Sequence, residues 1–141
     1  MARGIETKTV HKSEFINYWK KASEFKELMQ DSISKRKWNG AALAAVHAGI
    51  SANDAIMVCL AGVRSISKNH SDSIKLLRDR VNVKGVVEAA NHLSKLIHSK
   101  NLIEYETRLF TQSEAYALVK HAERFMDWVK LILPEDKIEP K

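Results

Sequence analysis

An all-α fold, an up-and-down bundle of about five helices of which four are long and one short, is what this sequence of 141 residues predicts. Three observations carry the prediction. Prolines occur only at 134 and 140, so nothing before them forbids long helices. Apolar residues recur at spacings of three and four through successive windows, whereas regular strand alternation is hard to find. Thr111-Gln112-Ser113-Glu114 spells a capping box at the head of the last periodic segment.

The first helix is expected from Ser13 to Lys35. Phe15, Tyr18, Trp19, Ala22, Phe25, Leu28, Met29 and Ile33 form its apolar stripe, with Lys12, Lys20, Lys21, Glu24, Lys26 and Glu27 on the other side. Lys35-Arg36-Lys37 places positive charge where the dipole of a helix C-terminus favours it. A second helix follows Trp38, with Asn39 as N-cap, and runs through Arg64. It is apolar on most sides and rich in alanine and glycine, the pattern of a central helix that neighbours approach closely.

Residues 65–71 read as a loop, after which Ser71 or Ser73 caps a short third helix to Val81, buried through Ile74, Leu77 and Val81. Beyond Gly85 a fourth helix uses Val86, Val87, Ala90, Leu93, Leu96 and Ile97 and extends to Asn101 or further. The fifth begins at the Thr111 box, with Phe110 and Ala115 at the two staple positions. It buries Leu118, Val119, Ala122, Phe125, Met126 and Val129 and stops before Pro134. No repeat or linker interrupts the series, which predicts one domain over 1–141 with a core from 13 to 132 and loose tails at 1–12 and 134–141.

The composition, 45% apolar and 28% charged, is globular, and a chain of this size buries roughly two-thirds of its extended surface. The apolar run from Gly40 to Val63 contains His47, Ser51, Asn53 and Asp54, and a mid-helix Asp costs roughly 3 kcal/mol on insertion. No membrane span is therefore expected. The start has no apolar signal segment and Cys59 is the single cysteine, which together predict a cytoplasmic protein with an inert, buried thiol.

Chemistry has few footholds. No dinucleotide fingerprint, Walker loop or nucleophile elbow is present, so no cofactor is expected. No two of the six histidines are four apart and no Cys-x2-Cys accompanies them, so no metal is expected either; His11, His92, His98 and His121 read as surface or partly exposed residues. The most informative local feature is His47, Ser51 and Asp54, which fall on one stripe of the apolar second helix. Buried polar groups need partners, so the stripe is either a packing network or the lining of a wet cleft, with Asp54 placed to hold His47 or Arg64.

A net charge of +6 favours acidic partners, and residues 64–84 hold Arg64, Lys68, Lys75, Arg78, Arg80 and Lys84 against Asp72 and Asp79. That stretch is either a phosphate-facing patch or a solvated helix face.

In order and spacing, the segments over residues 13–132 resemble the HEPN family of helical domains. The resemblance rests on the aromatic first helix, Trp38-Asn39-Gly40-Ala41-Ala42, Asn69-His70-Ser71-Asp72-Ser73-Ile74, Asn101-Leu102-Ile103-Glu104-Tyr105, and Phe110 to Ala115. It implies an up-and-down bundle, commonly a homodimer, that binds nucleotide or RNA and accompanies minimal nucleotidyltransferases in toxin–antitoxin pairs. Catalytic members are ribonucleases with an Arg-x4-His motif. Here Lys100 and Tyr105 stand where that Arg and His are expected, and a phenol with pKa near 10 is a poor base.

The resemblance therefore implies a noncatalytic module. Arg64, Lys100 and Arg108 would meet phosphate, Asn101 and Tyr105 would hydrogen-bond, and Asp54 would orient the cations. Two alternatives stand beside it: a metal-independent ribonuclease with a degenerate site at Lys100, Asn101 and Tyr105, and a structural interaction module specified by the His47, Ser51 and Asp54 stripe.

Overall fold

In a computed structural model of the protein, residues 4–69 and 71–138 are described, and 76% of these described residues are helical. The all-α class therefore holds. His70, the expected lead of the third helix, lies outside the described residues, as do 1–3 and 139–141. A strand β1 (Thr7–Thr9) and a 3-10 turn (Lys12–Glu14) precede α1 (Phe15–Ser34). There follow α2 (Trp38–Ala61), β2 (Val63–Ser65), α3 (Ser71–Arg80), α4 (Val86–Tyr105), α5 (Gln112–Ile132) and the single turn α6 (Glu135–Ile138).

Helices α1 and α2 form an antiparallel hairpin. α1 ends in a Schellman turn: the Lys37 N–H donates to the Ser32 carbonyl at 2.8 Å, and that of Arg36 to Ile33 at 3.0 Å. Arg36 takes the left-handed position with φ 61°, where glycine is usual. Trp19, Ala22 and Met29 centre the buried face of α1, and Leu28, expected in the stripe, sits at its edge and is exposed.

α2 is the central helix, packed by α1, α4 and α5. A β-carbon on Gly49 would stand 2.5 Å from Leu96 Cδ1, so with glycine there α4 approaches closely and any larger residue would have to displace the Leu96 side chain. α2 is the one helix among the described residues long and apolar enough to cross a membrane, and it lies mostly inside the bundle, as a core helix does.

Both ends of α2 depart from expectation. Lys37 is its N-cap residue, without a side-chain cap, while Asn39 lies inside the helix and its Oδ1 accepts the Phe110 N–H at 2.8 Å. At the other end Gly62, with φ 67°, stops the helix short of Arg64. The Gly62 carbonyl then accepts the Val10 N–H at 2.9 Å, and residues 63–65 pair antiparallel with 7–9, Lys8 opposite Arg64. Within the expected N-terminal tail, residues 7–9 thus form a strand and Val10 is buried. Three-residue strands are too short to leave an alternating signature in sequence.

Neither serine caps α3, since Ser71 is its first residue and Ser73 lies within; the Asn69 side chain accepts the Ser71 N–H at 3.1 Å instead. Gly85, with φ 89°, precedes α4, whose core face is Ala89, Ala90, Leu93, Leu96 and Ile97. Val87, expected inside, is off that face and exposed.

The capping box of α5 is formed as expected. Thr111 Oγ1 accepts the Glu114 N–H at 3.1 Å, and Glu114 Oε1 accepts the Thr111 N–H at 2.9 Å. Phe110 and Ala115 are buried in one cluster, and every residue expected in the α5 stripe is buried. Of the tail beyond Pro134, residues 135–138 form a helical turn, and Ile138 packs against the core.

Candidate functional site

The stripe on α2 faces α1 and is divided between two clusters. His47 and Asp54 are two helical turns apart, about 10 Å along the axis, and so are Phe25 and Tyr18, the α1 aromatics that meet His47 and Arg64, the partner of Asp54. At the β2 end, Arg64 Nη2 donates to Asp54 Oδ2 at 3.2 Å, and its guanidinium lies 5.5 Å from the Tyr18 ring centroid. Of the two partners expected for Asp54, the fold supplies Arg64. Burial raises the Asp54 pKa, while Arg64, by charge and hydrogen bond, and then Lys21 pull it down. Arg64 Nε and Asn53 Oδ1 are buried without a hydrogen-bond partner among the described residues, and Ser51 is buried on α2, as is Asn53.

At the other cluster His47 stacks on Phe25, with ring centroids 5.4 Å apart, and its Nε2 lies 3.7 Å from Glu104 Oε1. The other oxygen, Oε2, accepts from Lys100 Nζ at 3.0 Å. Burial lowers the His47 pKa; Glu104 opposes the shift and Lys100 adds to it, so the imidazole is neutral at pH 7. Glu104, absent from the sequence-based set, joins α2 to α4. Its spacing from Lys100 is an ordinary helical ion-pair spacing, which is the signal that would have found it.

Arg108 stands apart from both. It donates to Glu114 Oε1 at 2.9 Å, and its guanidinium lies 4.9 Å from the Phe110 ring centroid, so it buttresses the cap of α5. Asn101 and Tyr105 are exposed, Tyr105 at 77%, and their side chains make no hydrogen bond among the described residues. The six residues expected to form one binding site are therefore distributed over separate places. Each of the three cations expected to meet phosphate already holds a carboxylate.

Around α3 the situation is the opposite. Lys68, Lys75, Arg78, Arg80 and Lys84 are all exposed, and none forms an ion pair among the described residues. Leu76 and Leu77 bury the inner face of the short helix, which turns Lys75 and Arg78 outward together. Asp72 is engaged by the Ser67 hydroxyl at 2.7 Å. No group of three or more His, Cys, Asp or Glu side chains that could hold a metal is present among the described residues.

Compared with family models, with curated proteins and with solved structures, the chain has no match in any of the three.

Proposed function

We propose that the protein is a noncatalytic, HEPN-like binding module for RNA, with the α3 basic surface as its contact. The carrying observation is the set of five exposed cations, Lys68, Lys75, Arg78, Arg80 and Lys84, without ion-pair partners among the described residues. A polyanion gains most from cations it need not take from a carboxylate, which favours α3 over Arg64, Lys100 and Arg108. The exposed cations run from the loop before α3, along the helix, to the turn after it, which fits an extended strand better than a mononucleotide. No aromatic residue is interleaved to stack bases, so contact is through the backbone and tolerant of sequence.

Fluorescence anisotropy with labelled single-stranded RNA tests the reading. Five phosphate contacts correspond to a slope of log K against log salt of about −3.5. A Lys75→Gln, Arg78→Gln, Arg80→Gln variant is expected to weaken binding at least tenfold and flatten the slope, with Lys100→Ala and Arg108→Ala close to wild type. No binding at low salt, or no effect of the triple change, would sink it. The resemblance further implies a homodimer and a minimal nucleotidyltransferase as partner, which light scattering and co-purification address.

The ribonuclease reading has one observation in its favour. The neutral His47 imidazole shares Glu104 with Lys100, putting a base beside the cation that stands at the family's Arg position. RNA incubated with EDTA should then be cleaved by the wild type and not by His47→Gln; intact RNA in both removes this reading.

A further inference from the structure

His92 and His121 are not among the residues considered so far for binding. They meet across the seam between α4 and α5, Nδ1 to Nδ1 at 2.9 Å, with ring centroids 5.2 Å apart and planes inclined by 45°. At that separation one nitrogen donates and the other accepts. A neutral pair satisfies this with one Nδ1–H and one bare Nδ1. A pair carrying one extra proton satisfies it better, because the bond becomes charge-assisted. A pair carrying two has N–H facing N–H, and the bond is lost.

The surroundings act in the same sense. Burial opposes charge on His121 most, followed by His92 itself and then by Lys95 on α4 and Arg124 on α5. Glu88 on α4, with Arg124 and Asp127 on α5, lines the groove next to His92. The same two nitrogens could chelate a metal. However, no third His, Cys, Asp or Glu completes such a group among the described residues, and Lys95 and Arg124 repel a divalent ion more than a single proton.

We infer that His92 and His121 form a proton-operated latch that holds α4 to α5 when the pair is neutral or carries one extra proton and opens when both imidazoles are charged. The device couples acidification to loosening of one helix seam, and it does not depend on what the α3 surface binds.

The test is nitrogen-15 NMR of the imidazoles from pH 8 to pH 4.5, with amide hydrogen exchange over residues 89–97 and 118–126. The His92–His121 pair should take up its protons in two steps at least one pH unit apart. After correction for intrinsic rates, exchange along the seam should rise at least tenfold between pH 7.5 and pH 5. In His92→Gln the glutamine oxygen accepts from a charged His121, so the pH-dependent rise should disappear; His121→Gln serves if the first variant does not fold. Independent single titrations of the two histidines, or the same pH response in the variant, would overturn the latch. Stoichiometric zinc binding at pH 7.5 that both variants lose would overturn it in favour of a metal pair.

Discussion

Arg64 reaches back from strand β2 to Asp54 on helix α2, Nη2 to Oδ2 at 3.2 Å, so the charge of a carboxylate inside the bundle is balanced from a strand outside it. Removing one member of a buried pair strands the other, whereas making the acid neutral does not. Arg64→Leu should lose about 3 kcal/mol and Asp54→Asn less than about 1 kcal/mol. Because burial raises the Asp54 pKa, its neutral form is favoured in the folded state. The stabilisation from that form is complete at low pH and is lost as pH rises through the folded pKa. The Arg64→Leu defect should therefore be larger at pH 7 than at pH 4.5, as read by urea denaturation at both.

Gly49 concerns the α2–α4 contact. An added methyl meets Leu96 Cδ1 at 2.5 Å, and Leu93 Cδ1 lies 3.8 Å away. Gly49→Ala should gain about 1 kcal/mol of helix propensity but lose about 1–3 kcal/mol by overpacking the core, a net loss of up to about 2 kcal/mol. In Gly49→Ala, Leu96→Ala the space is returned, so the two changes should couple measurably in a double-mutant cycle.

Arg36 offers a change in the other direction. It occupies a left-handed position that costs an L-residue about 1 kcal/mol, and its guanidinium is 5.8 Å from the Trp38 ring centroid. Arg36→Gly relieves the strain and forfeits an exposed cation–π contact worth about 0.5 kcal/mol, so thermal unfolding should move up by a few degrees.

The α5 cap makes an acid-range prediction. Arg108 and the Thr111 N–H hold Glu114 down to a pKa of about 2, against 4.5 ordinarily. A depressed carboxylate contributes stability that is present above its unfolded pKa and lost as pH falls toward the folded value. Wild type should thus show a steeper fall in melting temperature between pH 4.5 and pH 2 than Glu114→Gln. Separately, Thr111→Ala should cost about 1 kcal/mol at any pH in that range.

What could be read from the sequence follows from what is local. The Thr111 box, the α5 stripe and the small-residue character of α2 are periodicities or spacings within one element, and each is present as expected. The end of α2 was read through to Arg64 because the apolar pattern continues past Gly62, and only the pairing with residues 7–9 makes 63–65 a strand. The candidate site suffered most. Lys100 and Arg108 look free in sequence, and of the acids that take them, Glu104 is legible only as part of the Asn101-to-Tyr105 motif and Glu114 only as half of a capping box. The contact of His92 with His121 crosses 29 residues, beyond any spacing test within a helix.

The Asn39 to Phe110 hydrogen bond joins residues 71 positions apart, where α2 begins and α5 is about to begin. The α1–α2 hairpin needs only local contacts and can assemble quickly, whereas this clasp must wait for closure of a long loop whose entropy grows slowly with length. In kinetic language it belongs after the folding barrier. Its strength sets chiefly how slowly the finished bundle comes apart, and hardly how fast the bundle forms.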